Sequence, residues 1–279
     1  MGPPKRLPSP FYAPRKRFGQ HFLEPVWVAK VIRAINPQPD DHFLEIGPGR
    51  GALTRPLLEK ASSVLAFEID RDLADNLRDT HGGNPRLTLV EGDFLEEASR
   101  LDNRWSTPLR VAGNLPYNVG TPILFKLLAL HVSGMRLVDA TLMLQAEVAD
   151  RLVAGPGGKE YGVLSILVQH NADVERLLAL PAGAFRPAPK VRSALVRIRF
   201  REPRPAARDP ALFVALVQAL FTRRRKTLAN ALLAFGPSKD LVPSMTLQRA
   251  GIDGLRRPET LSIAELVRLA DAFGRGGTA

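Results

Sequence analysis

The chain contains the glycine-rich stretch Leu44-Glu45-Ile46-Gly47-Pro48-Gly49-Arg50-Gly51-Ala52. It ends an apolar run, His42–Ile46, that is typical of a buried strand, and it leads into a helix-forming segment, Ala52–Lys60. Glycines in such a turn let the backbone bend sharply and let a ligand approach the main chain closely. The N–H groups at the start of the following helix face the same place. The stretch therefore predicts a strand–turn–helix unit with a ligand site at the turn.

The segments around this unit alternate between strand and helix patterns. Apolar runs predict strands at Ser63–Phe67, Leu87–Val90, Leu109–Ala112 and Leu137–Leu144, and helical spacing predicts helices at Val26–Ile35, Arg71–Thr80, 121–130 and 146–154. Ala194–Phe200 alternates as a further strand should. Strands that alternate with helices indicate an α/β fold with a doubly wound, mostly parallel sheet of the Rossmann-like kind.

Changes in composition divide the chain into four parts. Residues 1–17 are basic and rich in proline, which predicts a flexible N-terminal arm. Residues 18–200 hold the α/β pattern, and the proline- and arginine-rich residues 201–210 predict a linker. Beyond the linker, a smaller all-helical C-terminal domain over 211–279 is predicted from helical patterns at Ala211–Phe221, Arg223–Phe235, Thr246–Ala250 and Ile263–Phe273.

The charge balance favours a polyanionic partner. The 279 residues include 39 Lys and Arg against 28 Asp and Glu, a formal net charge of +11. RNA, DNA or an acidic membrane surface would attract such a chain, although a basic proteome or a need for solubility gives the same excess. The absence of cysteine excludes disulfides, thiolate metal sites and cysteine nucleophiles. Scattered histidines, no apolar stretch of transmembrane length and no secretory signal predict a cytoplasmic protein without a metal site or a membrane anchor.

Two acidic residues follow the second and third predicted strands. Glu68 lies twenty-one residues after Gly47, where a carboxylate can accept hydrogen bonds from the ribose hydroxyls of a nucleoside cofactor. Asp93 can accept a hydrogen bond from an adenine amino group. Gly47 and Gly49 also begin a match to the dinucleotide fingerprint, so the loop alone leaves NAD open. The third glycine at Gly51, the second acid and the motif after the fourth strand favour S-adenosylmethionine.

The fourth predicted strand leads into Asn114-Leu115-Pro116-Tyr117. The N6 of adenine is a poor nucleophile because its lone pair is delocalised into the ring, and two acceptors that bind both amino protons favour a pyramidal nitrogen. The Asn114 side-chain oxygen and the Leu115 carbonyl can be those acceptors, whereas Pro116 stiffens the turn and Tyr117 offers an aromatic face to an unstacked base. No strong general base is required, because methylation makes the nitrogen acidic enough to lose its proton to water. We therefore expect methylation of an adenine amino group.

Together these motifs resemble the rRNA adenine N6,N6-dimethyltransferase family, in particular its bacterial small-subunit branch. The resemblance covers roughly residues 15–275 and is carried by the stretches 17–23, 44–51, 68–70, 92–93, 114–117 and 185–191, with Ser193 after them. It implies that the cofactor contacts, from its methionine end to its adenine and its sulfonium, come from His21, Leu23, Gly47, Glu68, Asp93 and Asn114. Family members often carry Asn where this chain has His21, a change that a backbone contact would survive.

The resemblance also implies a reaction and a partner. Such enzymes transfer methyl groups from S-adenosylmethionine to N6 of two adjacent adenosines in the 3′-terminal hairpin loop of small-subunit rRNA, during ribosome assembly. The implied partner is that rRNA or a small-subunit precursor, and we expect a monomer. Two other interpretations stay open: an adenine N6-methyltransferase of large-subunit rRNA of the antibiotic-resistance type, and a non-catalytic assembly or transcription factor on the same fold.

Several residues are candidates for contacts with the RNA. The resemblance implies that Phe185 stacks on the target base opposite Tyr117, and a core phenylalanine is the alternative. Contacts with phosphates are predicted for the basic residues that follow, which are Arg186, Lys190 and Arg192. A second basic run, expected to open a helix in the C-terminal domain, is either a phosphate contact or a solvated face; it comprises Arg223, Arg224, Arg225 and Lys226.

Overall fold

A computed structural model of the chain describes residues 20–98, 107–233, 235 and 243–274. The predicted arm, 1–17, and the motif residues 17–19 lie outside these ranges. The described strands are β1 (Phe22–Leu23), β2 (His42–Ile46), β3 (Ser63–Glu68), β4 (Leu87–Glu91), β5 (Leu109–Asn114), β6 (Leu137–Gln145), β7 (Ala172–Leu180), β8 (Phe185–Arg186) and β9 (Ser193–Phe200). The described helices are α1 (Pro25–Ile35), α2 (Thr54–Lys60), α3 (Arg71–His81), α4 (Phe94–Glu97), α5 (Gly120–Val132), α6 (Ala146–Val153), α7 (Val163–Asn171), α8 (Pro210–Thr222), α9 (Leu228–Leu232), α10 (Pro243–Ala250) and α11 (Ile263–Gly274).

Seven strands form one sheet in the order β4-β3-β2-β5-β6-β9-β7, and β1 pairs with β8 in a separate two-stranded ladder. The pairs among β2 to β6 are parallel, whereas β9 runs antiparallel to β6. The predicted α/β fold with a doubly wound, mostly parallel sheet is confirmed. The strand β7 and the helix α7 were not predicted. β7 is half exposed, and three of its first five residues are charged, so it lacks an apolar run.

The apolar runs form strands because helices cover both faces of a parallel sheet. In β2, Phe43 and Leu44 are 1% and 0% exposed, so neither face of the strand meets water. Side chains from α1 and α2, including Val31 and Leu57, join Phe43 in one hydrophobic cluster. The helix α3 begins at a side-chain cap: Asp70 Oδ1 accepts a hydrogen bond of 3.1 Å from the Asp72 N–H.

The order of the strands reverses between β2 and β5. From β2 the chain builds outward through β3 and β4, and then it returns to the other side of β2 with β5 and β6. A crevice opens at such a reversal, outside the carboxyl ends of the strands, and open α/β sheets bind their ligands there. The ends of β2, β3, β4 and β5 therefore meet at the edge where the sequence motifs lie.

The chain divides into two compact units. One comprises Met1–Ala149 and Glu175–Arg199, and the other comprises Asp150–Val174 and Phe200–Ala279. Within the second unit, the Tyr161 hydroxyl donates to the Leu261 carbonyl at 3.0 Å, and His170 Nε2 lies 2.7 Å from the Pro205 carbonyl. The second unit thus takes in a segment before residue 175 as well as the C-terminal helices. The domain boundaries drawn from composition stay predictions.

A buried ion cluster holds the amino-terminal edge of the sheet, opposite the crevice. The Arg110 guanidinium on β5 makes two hydrogen bonds of 2.9 Å to the Asp139 carboxylate on β6 and one of 2.6 Å to Asp41. It also donates to the Ile35 carbonyl at the end of α1, at 2.8 Å. The side chains of Arg110 and Asp139 are only 12% and 9% exposed. One arginine thus ties α1 to two neighbouring strands.

We predict that Arg110→Ala lowers the free energy of unfolding by about 3 kcal/mol, because it leaves the buried Asp139 carboxylate with only the longer ion pair of 3.7 Å to Arg197. Urea unfolding followed by circular dichroism measures the change. The control is Arg55→Ala, which removes an exposed pair with Glu59 at 3.2 Å and is expected to cost less than about 0.5 kcal/mol. Equal effects of the two variants would show that the cluster on β5 adds no stability.

Candidate active site

A cavity of about 340 Å³ lies at the carboxyl ends of β2 to β5. All the residues predicted to bind the cofactor line it, and so do four of the five predicted catalytic residues, because Asn114 belongs to both sets. The lining residues from the two sets are His21, Leu23, Gly47, Gly49, Glu68, Asp93, Asn114, Leu115, Pro116 and Tyr117. These residues come from five separate segments of the chain. The fold thus brings together what the sequence motifs had placed far apart.

The glycine loop after β2 forms one wall of the cavity. Gly47 and Gly49 have φ angles of 68° and 61°, which disfavour side chains larger than glycine. A Cβ on Gly49 would also lie only 3.3 Å from the Phe22 ring. The Gly49 N–H donates a hydrogen bond of 2.9 Å to Glu68. The loop therefore presents bare main chain to the cavity, as the sequence predicts.

Glu68 at the end of β3 is buried, and its carboxylate is held by two main-chain N–H groups. Oε2 accepts from Gly49 and Oε1 accepts from Asp70, both at 2.9 Å. Burial raises the pKa of Glu68, and these hydrogen bonds partly oppose the rise. Each carboxylate oxygen can accept more than one hydrogen bond. The group is thus fixed in orientation and can still accept bonds from two hydroxyls of a ligand.

Asp93 after β4 has a similar double role. Its Oδ1 caps α4 by accepting a hydrogen bond of 2.9 Å from the Leu95 N–H. The capping bond fixes the carboxylate beside the cavity, which Gly92 and Phe94 also line. At this position the Asp93 carboxylate can accept a hydrogen bond from an amino group of a ligand in the cavity.

Glu45 is a cavity residue that was not singled out in the sequence. It lies inside β2, is 1% exposed, and its Oε2 has no hydrogen-bond partner among the described residues. Burial raises the pKa of Glu45 to about 8; the neighbouring Thr54 opposes the rise, and the charge of Glu68 adds to it. A carboxyl within an otherwise apolar strand, two residues before the glycine loop, is the signal that could have revealed it. Because Glu45 lines the cavity, this oxygen can accept a hydrogen bond from a donor, or face a cation, of a ligand.

Asn114 ends β5 and is fixed by the segment that precedes α1. Its Nδ2 donates a hydrogen bond of 2.7 Å to the main-chain carbonyl of His21. Because a carbonyl can only accept a hydrogen bond, the side-chain atom of Asn114 that faces it must be the amide nitrogen. Oδ1 is therefore the atom that Asn114 can offer as an acceptor to a ligand. The predicted acceptor role of the Leu115 carbonyl stays a prediction.

Tyr117 follows the turn at Pro116 and has two fixed neighbours. Its ring stacks on the His21 ring with centroids 5.4 Å apart and an interplanar angle of 27°. Its hydroxyl is hydrogen-bonded to the Ser193 hydroxyl at 2.7 Å. Burial raises the pKa of Tyr117, so the phenol stays neutral at ordinary pH. The aromatic ring thus lines the cavity in a fixed position.

Phe185 does not line the cavity. It is 1% exposed and belongs to the hydrophobic cluster that also contains Leu23 and Leu195. Phe185 pairs with Leu23 in the β1–β8 ladder, so it lies next to the segment that carries His21. The expected stacking of Phe185 on a base is therefore not supported by this arrangement, and the alternative of a core phenylalanine describes its position.

The predicted RNA contacts fall in two places. Arg186 ends β8, and Lys190 and Arg192 lie between β8 and β9. All three are exposed, and Arg186 pairs with Glu24 at 3.0 Å. The second basic run, Arg223 to Lys226, was expected to open a helix, which is wrong. It forms a turn between α8 and α9, closed by a 2.8 Å hydrogen bond from the Lys226 N–H to the Arg223 carbonyl.

Within that turn the four side chains are not equivalent. Arg224 forms an ion pair of 2.8 Å with Glu259 and donates to the Lys159 carbonyl at 3.0 Å. Its guanidinium thus helps to hold the second unit together. Arg223, Arg225 and Lys226 are exposed. RNA binding by any of these residues stays a prediction.

The described residues contain no candidate for a membrane-spanning helix or for a metal site. None of the helices in the described ranges has both the length and the apolar character needed to span a membrane. Among the same residues, no three His, Cys, Asp or Glu side chains are grouped as a metal site would require.

Comparison with known proteins identifies relatives along nearly the whole chain. A family model described as ribosomal RNA adenine dimethylase matches residues 13–273. A protein of Acinetobacter baylyi named ribosomal RNA small subunit methyltransferase A is 46% identical over 92% of this chain and 91% of its own length. A protein of the same name from Chromobacterium violaceum is 43% identical over 93% of this chain and 95% of its own.

Two solved structures resemble this one over similar lengths. A dimethyladenosine transferase from Plasmodium falciparum has a TM-score of 0.77 and 25% identity, covering 92% of this chain and 98% of that one. The 23S rRNA methyltransferase ErmE has a TM-score of 0.67 and 26% identity, covering 91% and 99%. The family match, the identities and the acids and amide gathered around one cavity agree: this chain belongs to the ribosomal RNA adenine dimethylase family.

Proposed function

We propose that this enzyme transfers methyl groups from S-adenosylmethionine to N6 of two adjacent adenosines in the 3′-terminal hairpin loop of small-subunit rRNA. The product is N6,N6-dimethyladenosine. The observation that carries the proposal is the orientation of Asn114, whose Oδ1 is left as an acceptor at the cavity because its Nδ2 donates to His21. An adenine amino group is a pair of donors, so this acceptor matches it.

The residues at the end of β5 prepare the amino nitrogen for attack. Asn114 Oδ1 accepts a hydrogen bond from one N6–H and the Leu115 carbonyl accepts one from the other, so that the nitrogen becomes pyramidal and its lone pair is localised on it. Tyr117 supports the base from one face. When bound, S-adenosylmethionine would supply an electrophilic methyl carbon, and displacement at that carbon would need it to be close to the nitrogen and aligned with its lone pair. The proton released from N6 passes to water without a placed base.

The cavity suits this cofactor in its charges and in its shape. The glycine loop leaves room for a ligand against bare main chain. Glu68 suits a ribose with its two hydroxyls, and Asp93 suits an adenine amino group. Glu45 contributes a buried oxygen without a partner among the described residues, which suits a positively charged amino group. The family match disfavours the NAD alternative, which the glycine loop alone leaves open.

The comparisons also bear on the other two interpretations. The relatives at 43% and 46% identity carry a small-subunit name, whereas the similar structure that acts on 23S rRNA is 26% identical. A non-catalytic factor would not need a fixed Asn114. We further propose a small-subunit precursor as the partner, action as a monomer in the cytoplasm, and RNA binding by the helical C-terminal domain.

The proposal is tested with small ribosomal subunits from cells that lack adenine dimethylation. They are incubated with the protein and S-adenosylmethionine, and the RNA is digested and analysed by mass spectrometry. We expect two N6,N6-dimethyladenosines per subunit, both in the 3′-terminal hairpin. Methylation of large-subunit RNA alone would instead support the resistance-type enzyme. Cofactor binding without methylation of any RNA would support the non-catalytic factor.

We predict opposite kinetic signatures for two substitutions in the cavity. Asn114→Ala is expected to lower kcat by about 100-fold or more and to leave the affinity for RNA unchanged, because it removes an acceptor that acts on the reacting nitrogen. Glu68→Ala is expected mainly to weaken cofactor binding, because its carboxylate would accept the ribose hydroxyls. Steady-state kinetics and calorimetric titration with the cofactor measure the two effects. Full activity of Asn114→Ala, or an unchanged cofactor affinity of Glu68→Ala, would contradict the respective role.

We predict that cofactor binding releases a proton from Glu45. With a pKa of about 8, this carboxyl is protonated in the free protein at neutral pH. A bound cation favours the ionised form, so its pKa falls on binding. Affinity should therefore rise with pH between about pH 6 and pH 8, by up to about ten-fold per unit. Calorimetry in two buffers with different heats of ionisation counts the protons released.

The matched variants for this prediction are Glu45→Gln and Glu59→Gln. Glu45→Gln keeps the volume of the side chain but cannot ionise, so its affinity for the cofactor should no longer depend on pH in this range. Glu59 is an exposed carboxylate on α2, with a side chain 59% exposed, and its replacement should leave the pH dependence as in the parent. The same pH dependence in Glu45→Gln and in the parent would assign the proton to another group.

A further inference from the structure

We infer that Ser193 and His21 are positioning residues that hold Tyr117 as a one-sided platform for the target base. The inference rests on the proposed function, since it concerns how the same site receives its adenosine. It gives Ser193, which has no role in the proposed chemistry, a kinetic effect on methyl transfer. It also gives the His21 ring a task separate from any contact with the cofactor.

The first contact fixes the tip of the Tyr117 ring. Its hydroxyl is 2.7 Å from the Ser193 hydroxyl, the usual distance of a well-formed hydrogen bond between two hydroxyls. Ser193 is 2% exposed and begins β9, where it is paired with Gln145 of β6. The sheet therefore holds the serine, and the serine in turn holds the phenol. Any swing of the Tyr117 ring would break a hydrogen bond to a buried group.

The second contact fixes one face of the ring. The His21 ring stacks on Tyr117 at 5.4 Å, and its own Nδ1 lies 2.7 Å from the Pro187 carbonyl. The main-chain carbonyl of His21 also accepts the hydrogen bond from Asn114. One residue thus backs the aromatic platform and orients the amide acceptor beside it. Only the face of Tyr117 turned away from His21 is left for an adenine.

This arrangement has a kinetic consequence. An aromatic ring that is held at its tip and on one face needs no ordering when the base arrives, whereas a free ring loses rotamer entropy at that moment. The base is then presented to Asn114 in one pose. Because phosphate contacts elsewhere supply RNA affinity, the loss of the platform should lower kcat and leave KM for the RNA nearly unchanged. A purely structural serine would change stability without this pattern.

The experiment is a double-mutant cycle with Ser193→Ala and Tyr117→Phe, assayed on undermethylated small subunits. Each variant removes one partner of the same hydrogen bond and keeps the ring and the backbone. We expect each to lower kcat by about ten-fold, with KM for the subunit and Kd for S-adenosylmethionine within about two-fold of the parent. The double variant should be no slower than the slower single variant, because both remove one interaction.

The control is Ser63→Ala, which removes a serine hydrogen bond of the same length, 2.7 Å, to His42. These two residues begin β3 and β2, at the end of the strands away from the cavity. Ser63→Ala should leave kcat as in the parent. A conservative Ser193→Thr, which keeps a hydroxyl, should recover activity relative to Ser193→Ala. Parental kcat in Ser193→Ala, or multiplied losses in the double variant, would overturn the inference. A parent that methylates no RNA would instead refute the proposed function, so the two failures are distinguishable.

Discussion

The reversal of strand order between β2 and β5 is the constraint on which the site depends. Because β2 has β3 on one side and β5 on the other, the loops that follow these strands diverge and leave a crevice between them. The glycine loop and Asn114 stand on opposite sides of that crevice. A ligand bound on one side is therefore placed against a substrate bound on the other. Methyl transfer needs this juxtaposition, and the sheet provides it before any ligand arrives.

The segment before α1 joins the two sides of the crevice. Gln20 donates a hydrogen bond of 3.0 Å to Asp70 beyond β3, whereas His21 accepts from Asn114 at the end of β5. The next two residues form β1 and pair with β8. Two consecutive residues, Gln20 and His21, thus contact the strand end that would hold the cofactor and the strand end that would hold the base, and the two that follow attach the segment to β8. Both halves of the site are tied to one short segment, so a displacement of that segment would disturb them together.

Sequence patterns predicted the elements near the crevice closely and the long-range contacts hardly at all. The bounds of β2 were predicted to the residue, because a buried parallel strand is a continuous apolar run that ends at glycine. Phe185 was misplaced because an aromatic beside a functional motif has the same local sequence whether it faces a core or a cavity. The helix expected at Arg223 is a turn, since an ion pair with the distant Glu259 holds Arg224 there. Glu45 was overlooked although a carboxyl inside an apolar run is a signal, because the lack of a partner for its Oε2 follows only from the packing around it.

The distribution of charge separates two ligands of opposite sign. The chain has a net charge of +11, yet three carboxylates, those of Glu45, Glu68 and Asp93, line the cavity. Burial and the charge of Glu68 make it unfavourable to ionise Glu45, and a cation bound nearby would reduce that cost. Polyanionic RNA would instead be attracted to the basic side chains that are exposed outside the cavity. A cationic methyl donor would therefore bind beside the carboxylates in the cavity, and an anionic RNA would bind beside the basic residues outside it. Neither ligand would have to displace the other before the base reaches Asn114.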